Sequence, residues 1–147
     1  MLEVGNGDLT AEQSRAHFAM WAMLAAPLMA GNDLRTMSIE VREILTAPEI
    51  IAVDQDAAGK QGRRVRHDGE IDIWMRELTG GRRVVAVLNR GSTDREVRVP
   101  LSEILIAPET NVRVRDLWRR ADVGEARREI VVATSANSAT VLSLTQQ

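Results

Sequence analysis

The sequence predicts an α/β part followed by an all-β part, and three observations support this division. Up to about residue 56, short continuous apolar runs alternate with stretches of helical periodicity, which is typical of parallel βα units. Beyond that point, short runs alternate apolar and polar residues with a period of two. The segment "DAAGKQGRR" between them is small and polar, as a linker is. The 147 residues suffice for one domain or two small ones.

The first element is a short apolar strand over residues 1–5, "MLEVG", followed by a turn. Thr10 then begins a helix, and Gln13 three residues later completes a capping box. We expect this helix to run to about Ala25 and to end before Pro27. Its second half, "FAMWAMLAA", is apolar on every side and is predicted to be buried all round.

The run "PLMAGNDLR" predicts a second buried strand that Gly31 closes. Ser38 is the predicted cap of a second helix, "IEVREIL", and Thr46 the cap of a third, "PEIIAVDQD". The order is therefore strand, helix, strand, helix. Because two such strands make a narrow sheet with bare edges, we expect this part to be loosely packed.

The second part predicts a small antiparallel β-sandwich or open barrel of five to seven strands. In "EIDIWMREL", Ile71, Ile73 and Met75 alternate with polar neighbours. "TGG" forms a hairpin turn, "RRVVAVLN" returns, and "REVRVPL", "NVRVRDLW", "REIVVAT" and "SATVLSL" follow. Because hairpins need no helices, we expect this part to fold alone. Trp74 lies on the face opposite Ile73 and is predicted to be exposed.

Composition disfavours several classes of partner. The net charge is −2, with −5 in residues 1–55 and +3 in residues 56–147. The basic residues of the second part alternate with Val and Glu, as on a solvated strand, so we expect no nucleic-acid binding. No run approaches the roughly 18 apolar residues of a membrane span, and no membrane partner is expected. The N-terminus lacks a basic segment followed by an apolar one, which predicts no signal peptide and a cytoplasmic chain.

Residues that could carry chemistry are few. Cysteine is absent, which excludes disulfide and thiolate chemistry. His17 and His67 are the only histidines, and neither has a ligand partner at helical spacing, so no metal site is expected. Nucleotide and nucleophile motifs are also absent, and we expect no cofactor. We interpret His17 as a structural residue, His67 as an exposed strand-end residue, and the pair Asp54 and Asp56 as capping groups.

Asn32 and Asp33 are the candidate substrate-binding residues. They follow the second predicted strand, and in a βα barrel the reactive groups lie at the carboxyl ends of strands. The alternative is that Asp33 only holds the following loop through hydrogen bonds to its backbone.

Long stretches of the chain resemble a known family. The run "MLEVGNGDLTAEQSRAHFAMWAMLAAPLMAGNDLRTMS", continued by "EILTAPEIIAVDQDAAGKQGRRV", closely resembles the C-terminal part of the α-galactosidases of glycoside hydrolase family 27. In that family the corresponding sequence runs from "DMLEVGN" through "SHFALWAMLAAPLLAGNDLR" to "AVNQDPLGKQG". The resemblance covers the whole chain and is most specific over the first 65 residues. Here "DQDAAG" replaces the family's "NQDPLG".

The resemblance implies a fold and a domain boundary. Family members have a (β/α)8 barrel followed by an antiparallel β-sandwich. The expected fold class is therefore α/β plus all-β: the last two βα units of a truncated (β/α)8 TIM barrel, followed by an antiparallel β-sandwich. Residues 1–56 would be the incomplete end of the barrel, from strand 7 to helix 8. Residues 57–147 would be the α-galactosidase C-terminal domain.

The resemblance also implies a division of chemistry. Family members hydrolyse terminal α-D-galactosyl residues with retention, and use one aspartate as nucleophile and another as acid/base. Both aspartates lie upstream of the segment matched by Met1, so no residue of this chain is assigned a catalytic role. The one pocket position that carries over is Met1, an apolar wall residue. The chain is expected to be inactive alone, with α-galactosides as the substrates of the parent enzyme.

Two other functions remain open. The β-sandwich could be a stand-alone carbohydrate-binding or interaction module, for which Trp74 and Trp118 would have to be exposed. Alternatively, the chain could be one half of a split glycosidase whose partner is the missing N-terminal barrel segment. Family members are often secreted, which leaves the compartment open.

Overall fold

The computed structural model describes all 147 residues and contains three α-helices followed by eight β-strands. The helices are α1 (Ala11–Met23), α2 (Ile39–Leu45) and α3 (Pro48–Asp54). The strands are β1 (Arg63–Asp68), β2 (Ile71–Glu77), β3 (Arg83–Asn89), β4 (Arg95–Pro100), β5 (Val112–Asp116), β6 (Ala121–Ala126), β7 (Glu129–Thr134) and β8 (Ser138–Gln146). None of the helices has the length and apolar character that crossing a bilayer requires.

The strands form an antiparallel β-sandwich, as predicted. The larger sheet has six strands in the order β1-β2-β3-β8-β5-β6, and the smaller sheet pairs β4 with β7. All the strands predicted for the second part of the chain are present. The structure adds β1 and β6, which are the two edges of the larger sheet. Neither was predicted, because "RRVRHD" and "ADVGEA" each contain a single large apolar residue, as exposed edge strands often do.

One face of the larger sheet packs on the smaller sheet and forms the inner cluster, a core of fourteen buried residues. Ile73 and Met75 of β2 lie in it, as their alternation predicts, together with Val99 of β4 and Ile130 and Val132 of β7. Burial of this face is what the period-two pattern of the strands encodes.

The opposite face of the larger sheet is covered by residues 1–56, here called the helical segment. Sixteen buried residues form this outer cluster, including Phe18 and Met23 of α1 and Ile50 of α3. The sheet contributes residues such as Val84 of β3 and Val141 of β8 to the same cluster. The expectation of a loosely packed first part is wrong, because the helices bury their apolar faces on the sheet rather than on other βα units.

Strand β2 is consequently buried on both faces. Asp72 and Arg76, expected on a polar outer side, are 4% and 1% exposed. Trp74 between them is half-buried against the outer cluster and not exposed as predicted. The alternation of β2 marks two different buried environments, one apolar and one partly polar, rather than a core side and a solvent side.

The two strands predicted in the helical segment reduce to a single contact. Leu2 and Ala30 form an isolated parallel bridge, in which the Leu2 amide donates to the Met29 carbonyl oxygen at 2.8 Å. Neither run has a second neighbouring strand within the chain, and a sheet needs more than one such contact to extend.

The helix ends follow the sequence in most details. The Thr10 and Gln13 capping box of α1 is confirmed, and Ser38 caps α2. The N-cap of α3 is Ala47 rather than Thr46, whose hydroxyl instead donates to the Arg42 carbonyl at 2.7 Å. Residues 20 and 21 of α1 are half-buried, so the helix is not buried all round.

Helix α1 ends two residues before the predicted position, and its last turn is closed by a left-handed residue. Ala25 has φ of 51°, and the Ala26 amide donates to the Trp21 carbonyl at 3.1 Å. This is the backbone of a helix C-terminus that glycine normally occupies. An alanine there carries steric strain that glycine would lack.

We therefore expect Ala25→Gly to raise the free energy of unfolding by about 0.5–1 kcal/mol, the relieved strain being partly offset by the freer unfolded chain. The matched control is Ala52→Gly, at an exposed helical position of α3, which should lower it by about 1 kcal/mol. Urea unfolding measures both. Equal destabilisation by the two substitutions would contradict the strained cap.

Candidate functional site

The Leu2–Ala30 bridge holds the candidate site residues together. Gly31 follows the bridge so closely that a Cβ there would lie 2.5 Å from the Leu2 carbonyl oxygen, so only glycine fits. The Asn6 side-chain amide donates to the Gly31 carbonyl at 3.2 Å. The bridge, Gly31 and Asn6 together form what we call the bridge edge.

Met1 and Asn32 lie on either side of Gly31 at the bridge edge. Met1 is 70% exposed, and its Cβ is 3.4 Å from where a Gly31 Cβ would be. The Asn32 amide nitrogen lies near Gly5, and its Oδ1 is buried without a hydrogen-bond partner. The edge therefore presents an apolar side chain to solvent and encloses an amide acceptor that no donor of this chain reaches.

Asp33 turns away into its own loop. Its carboxylate accepts from the backbone amide of Arg35 at 2.9 Å and from the Arg35 guanidinium at 3.0 Å. The hydrogen bonds from the Arg35 side chain and backbone lower the pKa of Asp33. The structure thus brings Met1 and Asn32 together at the edge and gives Asp33 the loop-holding contacts of the alternative interpretation.

An apolar cleft of about 430 Å³ lies beside the bridge. Leu2 and Ala30 line it from the bridge, Phe18 from α1 and Ile51 from α3, with Leu34 from the loop between. Its only charged lining residue is an arginine, and no carboxylate lines it. This bridge cleft can bury apolar surface, but it holds no pair of acids for general acid–base chemistry.

His17 connects α1 to the bridge edge. Its Nε2 accepts a hydrogen bond from the Glu3 backbone amide at 3.1 Å, so the neutral ring carries its proton on Nδ1. The ring also lies 5.7 Å from that of Trp21. Burial lowers the pKa of His17, an effect that the Glu3 carboxylate partly opposes. The contacts agree with the structural role predicted for His17.

His67 lies near the end of β1 and is half-exposed, as predicted, but it has a buried partner. Its Nδ1 is 2.7 Å from Oδ1 of Asp72, whose side chain is 5% exposed. Arg64 and Arg90 also donate to this carboxylate, at 3.2 and 2.9 Å. Burial would raise the pKa of Asp72, but the hydrogen bond from His67 and the charge of Arg90 outweigh it and lower the pKa.

Asp54 and Asp56 at the end of α3 have opposite environments. Burial raises the pKa of Asp54, whose Oδ1 has no hydrogen-bond partner. Burial acts in the same direction on Asp56, but hydrogen bonds from Thr79 and Ala58 outweigh it, so its pKa is lowered. Asp56 caps the turn. Its Oδ1 also accepts hydrogen bonds from the Thr79 hydroxyl at 2.8 Å and from the Thr79 backbone amide at 2.9 Å, which links the turn to the sandwich. Both carboxylates therefore belong to the junction of helices and sheet.

Sequence reasoning did not single out Asp72 and Arg76, the two buried charged residues of β2. The informative signal was in the neighbouring strand. Residues 84–88 of β3, "VVAVL", are apolar without interruption, which is typical of a strand buried on both faces. Because β2 pairs with β3 along its whole length, its own outer face had to be covered as well.

Comparison with known proteins agrees with this architecture. The family described as "Alpha galactosidase C-terminal beta sandwich domain" matches residues 68–144, and the family "Alpha galactosidase A" matches residues 1–56. Alpha-galactosidase 3 of Arabidopsis thaliana is 45% identical over 128 residues, which are 85% of this chain and 29% of that protein. The alpha-galactosidase of Coffea arabica is 37% identical over 147 residues, all of this chain and 39% of that protein.

Among solved structures, alpha-galactosidase I from Mortierella vinacea superposes with a TM-score of 0.95 at 29% identity. The match covers 99% of this chain and 38% of that one. The chain thus spans between about three tenths and two fifths of the length of these relatives.

The chain belongs to the α-galactosidase family, glycoside hydrolase family 27, and corresponds to its C-terminal portion.

The His17 contact makes a prediction about pH. Because burial lowers the pKa of His17 in the folded state, protonation favours the unfolded chain. The neutral His17 side chain therefore contributes fully to folding stability at pH values above the ordinary pKa of 6.5. This contribution falls as the pH drops toward the lowered pKa of the folded state. Between pH 7 and 5 the urea midpoint should fall in the wild type and fall less in His17→Gln, whose side-chain oxygen can still accept. An identical decline in both proteins would contradict this assignment.

Proposed function

We propose that this chain supplies the last two βα units of a (β/α)8 barrel, residues 1–56, and the C-terminal sandwich of an α-galactosidase, residues 57–147. The observation that carries the proposal is the parallel Leu2–Ala30 bridge with α1 between its two partners. Parallel strands joined through a helix are the βαβ unit from which such barrels are built. The separate family matches to residues 1–56 and 68–144 support the same boundary.

In this proposal the bridge edge is part of the rim of a galactoside pocket. Met1 provides an apolar wall open to solvent, and the enclosed Oδ1 of Asn32 provides a hydrogen-bond acceptor for a neighbouring backbone amide. Asp33 holds the loop through Arg35 and does not contact the sugar. The substrates are α-galactosides, as the names of the relatives suggest.

The proposed role does not include bond cleavage by this chain's own residues. Retaining glycosidases place two carboxyl groups about 5–5.5 Å apart across the glycosidic bond. The carboxylates of Asp33 and Glu3 already accept hydrogen bonds, Asp33 from Arg35 and Glu3 from the Asn6 side chain. The nucleophile and the acid/base are assigned to the family's segment preceding the one matched by Met1.

The module alternative has less support from the structure. A sugar-binding platform stacks exposed aromatic rings on pyranose faces, but Phe18 is 1% exposed. The three tryptophans, Trp21, Trp74 and Trp118, are half-buried and pack on the outer cluster. Their rings therefore pack at the junction between the helices and the sheet. The split-enzyme alternative shares the barrel assignment and differs only in the origin of the preceding segment.

The purified chain should not hydrolyse 4-nitrophenyl α-D-galactopyranoside above the rate of buffer alone, because it holds no suitable pair of acids. A chimera, in which this chain replaces the matching part of the Coffea arabica enzyme, should hydrolyse it. Met1→Arg in the chimera should raise KM, whereas Val123→Arg, on exposed β6, should not. Turnover by the chain alone, or a folded but inactive chimera, would contradict the proposal.

A further inference from the structure

Arg76 is the largest fully buried side chain of the protein, at 1% exposure. It projects from β2 of the sandwich toward the helical segment. A guanidinium remains charged at any ordinary pH, and a buried charge is costly unless it is paired or hydrogen-bonded. Its partners should therefore show what it does.

The partners are the carboxyl-terminal ends of two helices. Nη1 donates to the carbonyl oxygen of Ala22 in the last turn of α1, and Nη2 donates to that of Asp54, the last residue of α3, at 3.2 Å. Carbonyls at this end of a helix lack the usual amide four residues on and carry partial negative charge. The Ala22 carbonyl also accepts the Ala25 amide at 3.2 Å, so Arg76 adds a second donor to it. One cation thus satisfies two helix ends at once. The Gly62 amide adds a third contact, to the Met23 carbonyl at 2.7 Å.

We propose that Arg76 is a positioning residue: from the sandwich it fixes α1 and α3, and through α1 it fixes the bridge edge with Met1 and Asn32. This rests on the proposed function only in taking the bridge edge as the rim of the sugar pocket. The claim that Arg76 fixes α1 and α3 rests only on hydrogen bonds within this chain.

The connection from Arg76 to the bridge edge is continuous. Arg76 holds the end of α1 at Ala22, and one and a half turns earlier His17 accepts the Glu3 backbone amide at 3.1 Å. Leu2, next to Glu3, is 1% exposed in the outer cluster with Phe18 of α1. The Leu2 amide in turn donates to Met29 across the bridge.

Arg115 provides a matched control because it fixes only α3. From β5 it forms a two-point ion pair with Glu49 in the first turn of that helix, at 2.7 and 2.9 Å. Its side chain is 37% exposed, and its hydrogen bonds go to Glu49, Asp122 and Arg120, with none to α1 or the bridge. Replacing it should loosen α3 without reaching Leu2.

Hydrogen exchange on the full chain tests the proposal with Arg76→Lys and Arg115→Lys. Lysine keeps the charge, but one ammonium group cannot reproduce the planar fork that reaches two carbonyls. In Arg76→Lys the amides of Leu2, Leu24 and Gln55 should exchange at least ~10-fold faster, while those of β4 and β7 keep their protection. In Arg115→Lys only Gln55 and its neighbours in α3 should respond.

Two results would overturn the proposal: an increase spread evenly over both sheets in Arg76→Lys, or no change at Leu2. If that variant does not fold, hydrogen exchange of the wild-type chain at increasing urea concentrations tests the proposal instead. The amides of Leu2, Leu24 and Gln55 should then open together, at a lower free energy than β4 and β7, and three separate openings would overturn it. Hydrogen exchange does not depend on galactoside hydrolysis. An inactive chimera would therefore contradict the proposed function without affecting this inference.

Discussion

The structure depends on burial of the outer face of the six-stranded sheet by the helical segment. That face carries Val84, Ala86 and Val141, and no other part of the chain covers it. Removing apolar surface from water contributes roughly 25 cal/mol per Å², so leaving such a face open would cost several kcal/mol. The same contact buries the apolar second half of α1, including Phe18 and Met23. Sheet and helices thus require each other, and the sandwich has two cores rather than one.

This double burial explains where the charged residues lie. Arg76 and Asp72 are buried because β2 lies between the two cores, and each forms hydrogen bonds with groups outside its own strand. Glu49 and Asp56 of the helical segment bind Arg115 and Thr79 of the sandwich. The junction is therefore apolar at its centre and joined by directional polar contacts around it. Such contacts fix orientation, which apolar burial alone leaves free.

Local order was predictable from the sequence, whereas the relation between the two parts was not. The Thr10 capping box, the second helix and the alternating strands follow from backbone chemistry and periodicity within a few residues. The fate of Trp74 and Arg76 could not be predicted in this way, since their burial depends on residues more than twenty positions away. At the candidate site, the sequence indicated Asn32 and Asp33 by position, but the ion pair that commits Asp33 to Arg35 became visible only with the loop's conformation.

The most direct measurement compares unfolding of the whole chain with that of residues 57–147 prepared alone. We predict that the isolated sandwich, with its outer face exposed, binds a hydrophobic dye such as anilinonaphthalene sulfonate and unfolds at a lower urea concentration than the whole chain. The whole chain should unfold in one step, with tryptophan fluorescence and circular dichroism coincident. A sandwich that unfolds cooperatively by itself, with the same midpoint as the whole chain, would contradict the account.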